Sequence, residues 1–153
     1  MTATVGVNSY VTEAEATAYF ADRFGFDLWT PSTQKDAALV SARQILDAYC
    51  SWYGDPVSDT QSLAFPRTPD ADPVPQDIKD SQCEIAYKII ETGSTSQAAD
   101  DPLTALKAGA VELNFKASKK GNPLTSSLVD SLLMPYGFCK GSGTTTFLAI
   151  ERC

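Results

Sequence analysis

Ser32-Thr33-Gln34-Lys35-Asp36-Ala37-Ala38-Leu39-Val40-Ser41-Ala42-Arg43-Gln44-Ile45-Leu46-Asp47-Ala48-Tyr49 is the most strongly periodic stretch of the chain. Leu39, Ala42, Ile45, Leu46 and Tyr49 recur at three- and four-residue intervals, which places them along one side of an α-helix as a single apolar stripe. Pro31 precedes the stretch, so the helix is expected to open near Ser32 and to run to about Tyr49.

Upstream, Thr12-Glu13-Ala14-Glu15 is a capping box: the Thr12 hydroxyl can accept from the Glu15 amide while the Glu15 carboxylate reaches back to the Thr12 amide. A first helix therefore starts there, with Ala16, Tyr19, Phe20 and Phe24 on its buried side and Gly25 placed to end it. Phe24, Phe26 and Trp29 crowd the connection that follows and read as core plugs. Downstream, Gly54 to Pro75 is rich in Pro, Asp, Ser and Thr and reads as a long structured loop with several turns. Inside it Leu63-Ala64-Phe65-Pro66-Arg67 is an apolar-aromatic knot expected to be pinned to the core. Pro75 suits the first turn of a third helix, where Asp77 and Asp80 complement the helix dipole. Ile78, Ile85, Ala86, Ile89 and Ile90 form its buried side and Gly93 its stop.

Gly93 to Pro102 reads as a flexible loop, and beyond it the period changes. Val111, Leu113 and Phe115 alternate with Glu112, Asn114 and Lys116, a strand with one buried face. Its expected partner is the run Thr144 to Ile150. Between them Leu128, Val129, Leu132 and Leu133 make a short helix closed by Pro135 and Gly137. The fold class is mainly α: a bundle of three to four helices with a minor β-strand element near the C-terminus and a long structured loop. One domain over 1–153 is expected, with a helical part at about 8–92 and a strand, short-helix and docking segment at about 103–153.

The bulk properties limit what such a domain does. Its 153 residues are 43% hydrophobic and 20% charged, a globular composition. No apolar run is long enough to span a membrane and no export signal opens the chain, so a cytosolic product is expected. The sequence contains no histidine, which removes the commonest general base, the commonest metal ligand and every Ser-His or Cys-His pair. Cys50, Cys83, Cys139 and Cys153 form no C-x-x-C pair and are expected to be free thiols in a reducing compartment, three packed and one terminal. The net charge is −7, the wrong sign for gripping phosphates. It is uneven: through Asp101 there are 6 Lys+Arg against 16 Asp+Glu, and from Pro102 onward 6 against 3, so a segment at −10 is followed by one at +3. Two differently charged halves suit two differently charged neighbours.

No motif supplies chemistry. There is no Walker A or G-x-G-x-x-G pattern, and Gly141-Ser142-Gly143 precedes a strand where a phosphate cradle would open a helix. Glu13 with Glu15 and Asp77 with Asp80 are explained by their helix N-terminal positions. Tyr49, Trp52 and Tyr53 have no interleaved cations and read as core packing, since a single-strand groove needs both. The one basic cluster is Lys116, Lys119 and Lys120, suited to an acidic partner surface or to DNA. Neither catalysis, a cofactor nor a metal is expected.

Four stretches together carry a resemblance. They are Asn8-Ser9-Tyr10-Val11-Thr12 leading to Tyr19-Phe20; Ala38-Leu39 to Asp47 followed by Trp52 and Gly54; Leu63-Ala64-Phe65-Pro66-Arg67; and Val74-Pro75-Gln76-Asp77-Ile78-Lys79 with Cys83-Glu84. In order and spacing they resemble small tailed-phage proteins labelled DnaT-like single-stranded-DNA-binding proteins, a family that looks like head-tail connector adaptors. Where that family commonly has Trp, this chain has Phe65.

The resemblance implies a structural virion subunit in the neck between capsid and tail, present in the host cytoplasm before assembly. The implied assembly is a dodecameric ring beneath the portal, through which DNA passes without specific binding. Its implied partners are further copies of the chain, the portal protein and a neck or tail-terminator (stopper) protein. The alternative is single-stranded-DNA binding in phage replication, as the label says. The residues singled out for structural or interface roles are Trp52, Phe65, Pro66, Arg67, Lys116, Lys119 and Lys120, with Arg67 expected to bridge carbonyls or a neighbouring acid.

Overall fold

A computed structural model describes residues 1–69, 74–93, 95, 105–108, 111–114 and 126–139, with the two stretches 105–108 and 111–114 as backbone. It shows four helices and two small antiparallel sheets, mainly helical with the strand element towards the C-terminus. Helix α1 spans Glu13–Ala21 and α2 spans Lys35–Tyr49; strand β1, Cys50–Trp52, follows α2 directly. Helix α3 is Gln76–Thr92, β2 is Ala105–Ala108, β3 is Val111–Asn114, α4 is Ser127–Leu133 and β4 is Gly137–Cys139.

Local signals in the sequence explain three of the helix ends. Both halves of the Thr12 capping box form: the Glu15 amide donates to Thr12 Oγ1 at 3.2 Å and the Thr12 amide donates to Glu15 Oε2 at 2.7 Å. Gly93 ends α3 in the left-handed region at φ 66°, its amide bonding the Ile89 carbonyl at 2.8 Å. Ser126 caps α4 by accepting from the Val129 amide.

Helix α1 stops earlier than its periodicity suggests. Asp22 is the C-cap and the Arg23 amide turns back to the Phe20 carbonyl, so position 24 leaves the helical face. Phe24 is consequently fully exposed and no core plug, whereas Phe26 and Trp29 fold back onto Phe20 at centroid distances of 4.6 and 4.8 Å. Helix α2 begins at Lys35, three residues after Ser32, because Ser32 instead accepts the Gln34 amide and holds a turn. Its stripe is buried through Leu46, but Tyr49 is half exposed where the chain passes into β1.

The core lies between α2 and α3, with α1 and α4 packed against α3. Leu39, Leu46, Ile78, Ile85 and Leu133 are fully buried there. Each removes an aliphatic side chain from water, a stabilisation of roughly 1.5–3 kcal/mol before entropy is charged against it. The long connection is anchored as its composition suggests: Leu63 and Phe65 are buried, and residues 55–68 form a bridged loop in which the Thr68 amide bonds the Asp55 carbonyl at 2.9 Å.

The expected strand forms as β3, and two strand pairings form that the sequence reading did not include. Among the described residues β3 pairs with β2, Ala105 opposite Asn114; Phe115 and the expected partner, 144–150, lie outside the described residues, as does most of the 93–102 loop. The second sheet, β1 with β4, joins segments far apart in sequence: Cys50 faces Cys139, Ser51 faces Phe138 and Trp52 faces Gly137. That register corrects the expectation of free thiols, because Cys50 and Cys139 form a disulfide across it. Cys83 is a free, buried thiol as expected, and Cys153 lies outside the described residues.

Candidate functional site

Four of the residues singled out in the sequence come together around the β1–β4 ribbon. Trp52 and Phe65 meet edge to face at 4.9 Å, and Phe65 also touches Tyr10 at 6.1 Å and Tyr136 at 6.4 Å. The Phe65 amide donates to the Tyr10 hydroxyl at 3.4 Å, fixing the loop backbone to the core. Among the described residues the buried Trp52 indole N–H has no partner. Pro66 follows Phe65 through a cis peptide, and its carbonyl accepts from the Val57 amide and the Gln61 side chain.

Arg67 bridges carbonyls. Its Nε donates to the Tyr53 oxygen at 2.9 Å, one terminal nitrogen donates to Ala64 at 3.2 Å and the other to Gly54. A planar fork with five donors is the side chain suited to three carbonyls in different directions. Lys116, Lys119 and Lys120 lie outside the described residues.

The outer face of the ribbon carries the exposed aromatics. Strand alternation turns Cys50 and Trp52 inward and leaves Ser51, Phe138 and the following Tyr53 outward. Tyr53 and Phe138 sit 6.5 Å apart, and Tyr49 is exposed at the end of α2. Tyr49 and Tyr53 are therefore surface residues, contrary to the core reading, because α2 ends and the strand pleat begins between them. Only Trp52 of the three packs inward.

The charges around this scaffold are already matched. Arg23 pairs with Glu84 at 3.6 Å and stacks on Tyr19; Lys35 pairs with Glu13, Arg43 with Asp47, Lys79 with Glu15 and Lys88 with Glu91. With Arg67 spent on carbonyls, every Lys or Arg whose side chain is described has a partner within the chain. Such pairs add little stability at the surface, yet each lowers the charge a phosphate would meet.

The part-buried Tyr10–Asp47 pair is likewise committed. The Tyr10 hydroxyl donates to Asp47 Oδ1 at 2.7 Å, and burial followed by that acid raises the Tyr10 pKa. Burial is also the main cause that raises Asp47, against the opposing pull of Tyr10 and Arg43. The network holds α2 to the N-terminal segment and the 54–69 loop. A groove of about 450 Å³ between the start of α2 and the end of α3 is lined by residues such as Leu28, Pro31, Ala38 and Ile89, without a charged group. Among the described residues no cluster of His, Cys, Asp or Glu is placed to hold a metal, and no helix is long and apolar enough to cross a membrane.

A family model described as "Putative DnaT-like ssDNA binding protein" matches residues 2–153. The chain belongs to that family. No curated protein and no solved structure matches it. Within this DnaT-like chain, sequence reasoning missed Tyr10, Gln82 and the Cys50–Cys139 pair. Tyr10 lay in one of the stretches that carried the resemblance; nothing local marks the other two.

Proposed function

We propose that this DnaT-like chain is a structural, non-catalytic subunit of a phage head-tail connector ring, located in the virion neck beneath the portal. The observation that supports it best is the internal pairing of every described cation, which leaves the helical body acidic and without a phosphate-gripping face. DNA slides past such a surface without adhering, because like charge raises the local potential. The opposite balance of residues 102–153 suits a head-to-tail contact in which the basic segment of one copy meets the acidic body of the next. A heterologous contact of that kind closes into a ring from a single gene product. Acidic side chains of the helical part would line the lumen, and the ring's two faces would meet the portal and the next neck or tail component.

The family's description favours a second reading, contact with single-stranded DNA, which the connector reading does not inherit from the match. One observation supports it here: Tyr49, Tyr53 and Phe138 are exposed aromatics of the kind on which bases stack. Phosphate contacts would then come from the basic segment that contains Lys116, Lys119 and Lys120.

Two measurements separate the readings. Cryo-electron microscopy of virions from the encoding phage should show the chain as a ring between portal and tail; virions without it end the connector reading. Anisotropy with a labelled oligothymidine should show no binding tighter than about 100 µM near physiological salt. Micromolar binding that weakens steeply with salt would instead establish the second reading.

A further inference from the structure

The cross-strand cysteine pair joins the α4–β4 segment to the end of α2. The ribbon has three residue pairs, Cys50–Cys139, Ser51–Phe138 and Trp52–Gly137. Beyond it α4 and β4 are held by the buried Val129 and Leu133, by the Tyr53 amide on the Tyr136 carbonyl at 2.8 Å, and by the Tyr136 hydroxyl on Asp77 at 3.3 Å. Cys50 lies at the end of α2, its amide bonding the Leu46 carbonyl, so the bond at Cys139 ties β4 directly to the C-terminal end of that core helix. Isolated two-stranded ribbons are marginal in water.

We propose that Cys50 and Cys139 are a redox-operated latch that fixes the α4–β4 segment to the helical body when oxidised and lets it open locally when reduced. This stands independently of the connector and DNA readings. The oxidant is a low-molecular-weight disulfide such as oxidised glutathione. One cysteine thiolate attacks a glutathione sulfur and expels a glutathione thiolate; the second then attacks the protein sulfur of the mixed disulfide and expels another. Two protein thiols lose two electrons and two protons, and one glutathione disulfide becomes two glutathione thiols.

The environment keeps the pair specific. Cys50 and Cys139 are both buried, so a solvent thiol reaches them only when β4 lifts from β1. Cys83 does not compete: burial, with Asp80 and Glu84 beside it, pushes its thiol up to about 12, which keeps it protonated and non-nucleophilic.

The test equilibrates the full chain in glutathione buffers of graded ratio, quenches with acid, alkylates free thiols and maps peptides by mass spectrometry. Hydrogen exchange is followed on the same samples. Expected is a peptide linking Cys50 to Cys139 in oxidising buffer, with amides of 127–139 exchanging about tenfold or more faster once reduced while α1 to α3 are unchanged. The Cys153→Ser variant should keep the linkage, and the double variant Cys50→Ser/Cys139→Ser should exchange like the reduced chain at every ratio. Absence of the linked peptide, its loss in Cys153→Ser, or equal exchange of 127–139 in both states of the wild-type chain would each overturn the latch. The wild-type comparison decides the matter even if the double variant fails to fold.

Discussion

The side-chain oxygen of Gln82 accepts the backbone amide of Tyr10, 72 residues away, at 2.9 Å. The same amide group donates through its nitrogen to Ser9 Oγ at 2.7 Å and to the Leu39 carbonyl at 2.8 Å. One fully buried glutamine on α3 thus ties the N-terminal segment to α2. Gln82→Leu leaves the buried Tyr10 amide without an acceptor, while the Leu39 carbonyl keeps its helical partner, and an orphaned buried amide costs about 1–3 kcal/mol. Denaturant titration should show a loss of about 2 kcal/mol with an unchanged m-value, or a fall in Tm of roughly 6 °C. A loss below about 1 kcal/mol would mean that the orphaned Tyr10 amide finds another partner.

Arg67 holds its three carbonyls through a charged fork, and hydrogen bonds from charged groups are worth more than neutral ones. Its partial exposure moderates this. Arg67→Ala should cost about 1–2 kcal/mol, and Arg67→Lys should recover less than half, since an ammonium cannot address three divergent oxygens from one plane. Equal stability of the Lys variant and wild type, measured by thermal unfolding, would show that the positive charge alone matters.

The legibility of these features divides by sequence distance. Thr12 with Glu15, and Gly93 with Ile89, are readable because motif and partner lie within four residues, so local geometry alone forces the contact. The stripes of α2 and α3 are readable because burial imposes a helical period. Gln82 with Tyr10 and Cys50 with Cys139 have no such signature: the partners are brought together by how α2, α3 and the ribbon pack, which no spacing records. Phe24 shows the intermediate case, where correct periodicity fails at a helix end decided by backbone capping. For the site, the Arg67 side chain announces a carbonyl-bridging role, but which carbonyls it meets depends on the fold of the 54–69 loop. The exposure of Tyr49 and Tyr53 depends on the unanticipated pairing of β1 with β4.

Acid titration should separate two carboxylates of opposite sign. The Thr12 amide, the first of several causes, holds Glu15 below its ordinary 4.5, so it contributes stability present above 4.5 and lost as pH falls through its folded value. Asp47 is raised above 3.8, chiefly by burial. Its contribution is fully present below 3.8 and is lost as pH rises through the folded value, because the unfolded chain ionises first. In a stability-against-pH series Glu15→Gln should flatten the decline below 4.5, and Asp47→Asn should remove a decline just above 3.8. A steeper decline in Asp47→Asn over that upper window would contradict the assignment of burial as the dominant cause.

Glycine substitutions should distinguish crowding from backbone strain. At Gly93 an added Cβ meets nothing within 4 Å, and the only objection is φ at +66°; Gly93→Ala should cost about 1 kcal/mol from the left-handed conformation. Gly137 has no left-handed φ, but a Cβ there collides with the Ser51 carbonyl and the Trp52 backbone across the ribbon. Neither neighbour is the free end of a side chain, so β4 must move off β1 and the ladder that carries Cys139 must shift. Gly137→Ala should therefore cost about 2–4 kcal/mol, with raised hydrogen exchange concentrated in 127–139 and Trp52. Gly93→Ala should raise it only in the last turn of α3. If the two variants lose equal stability, close packing of β4 on β1 is not what requires glycine at 137.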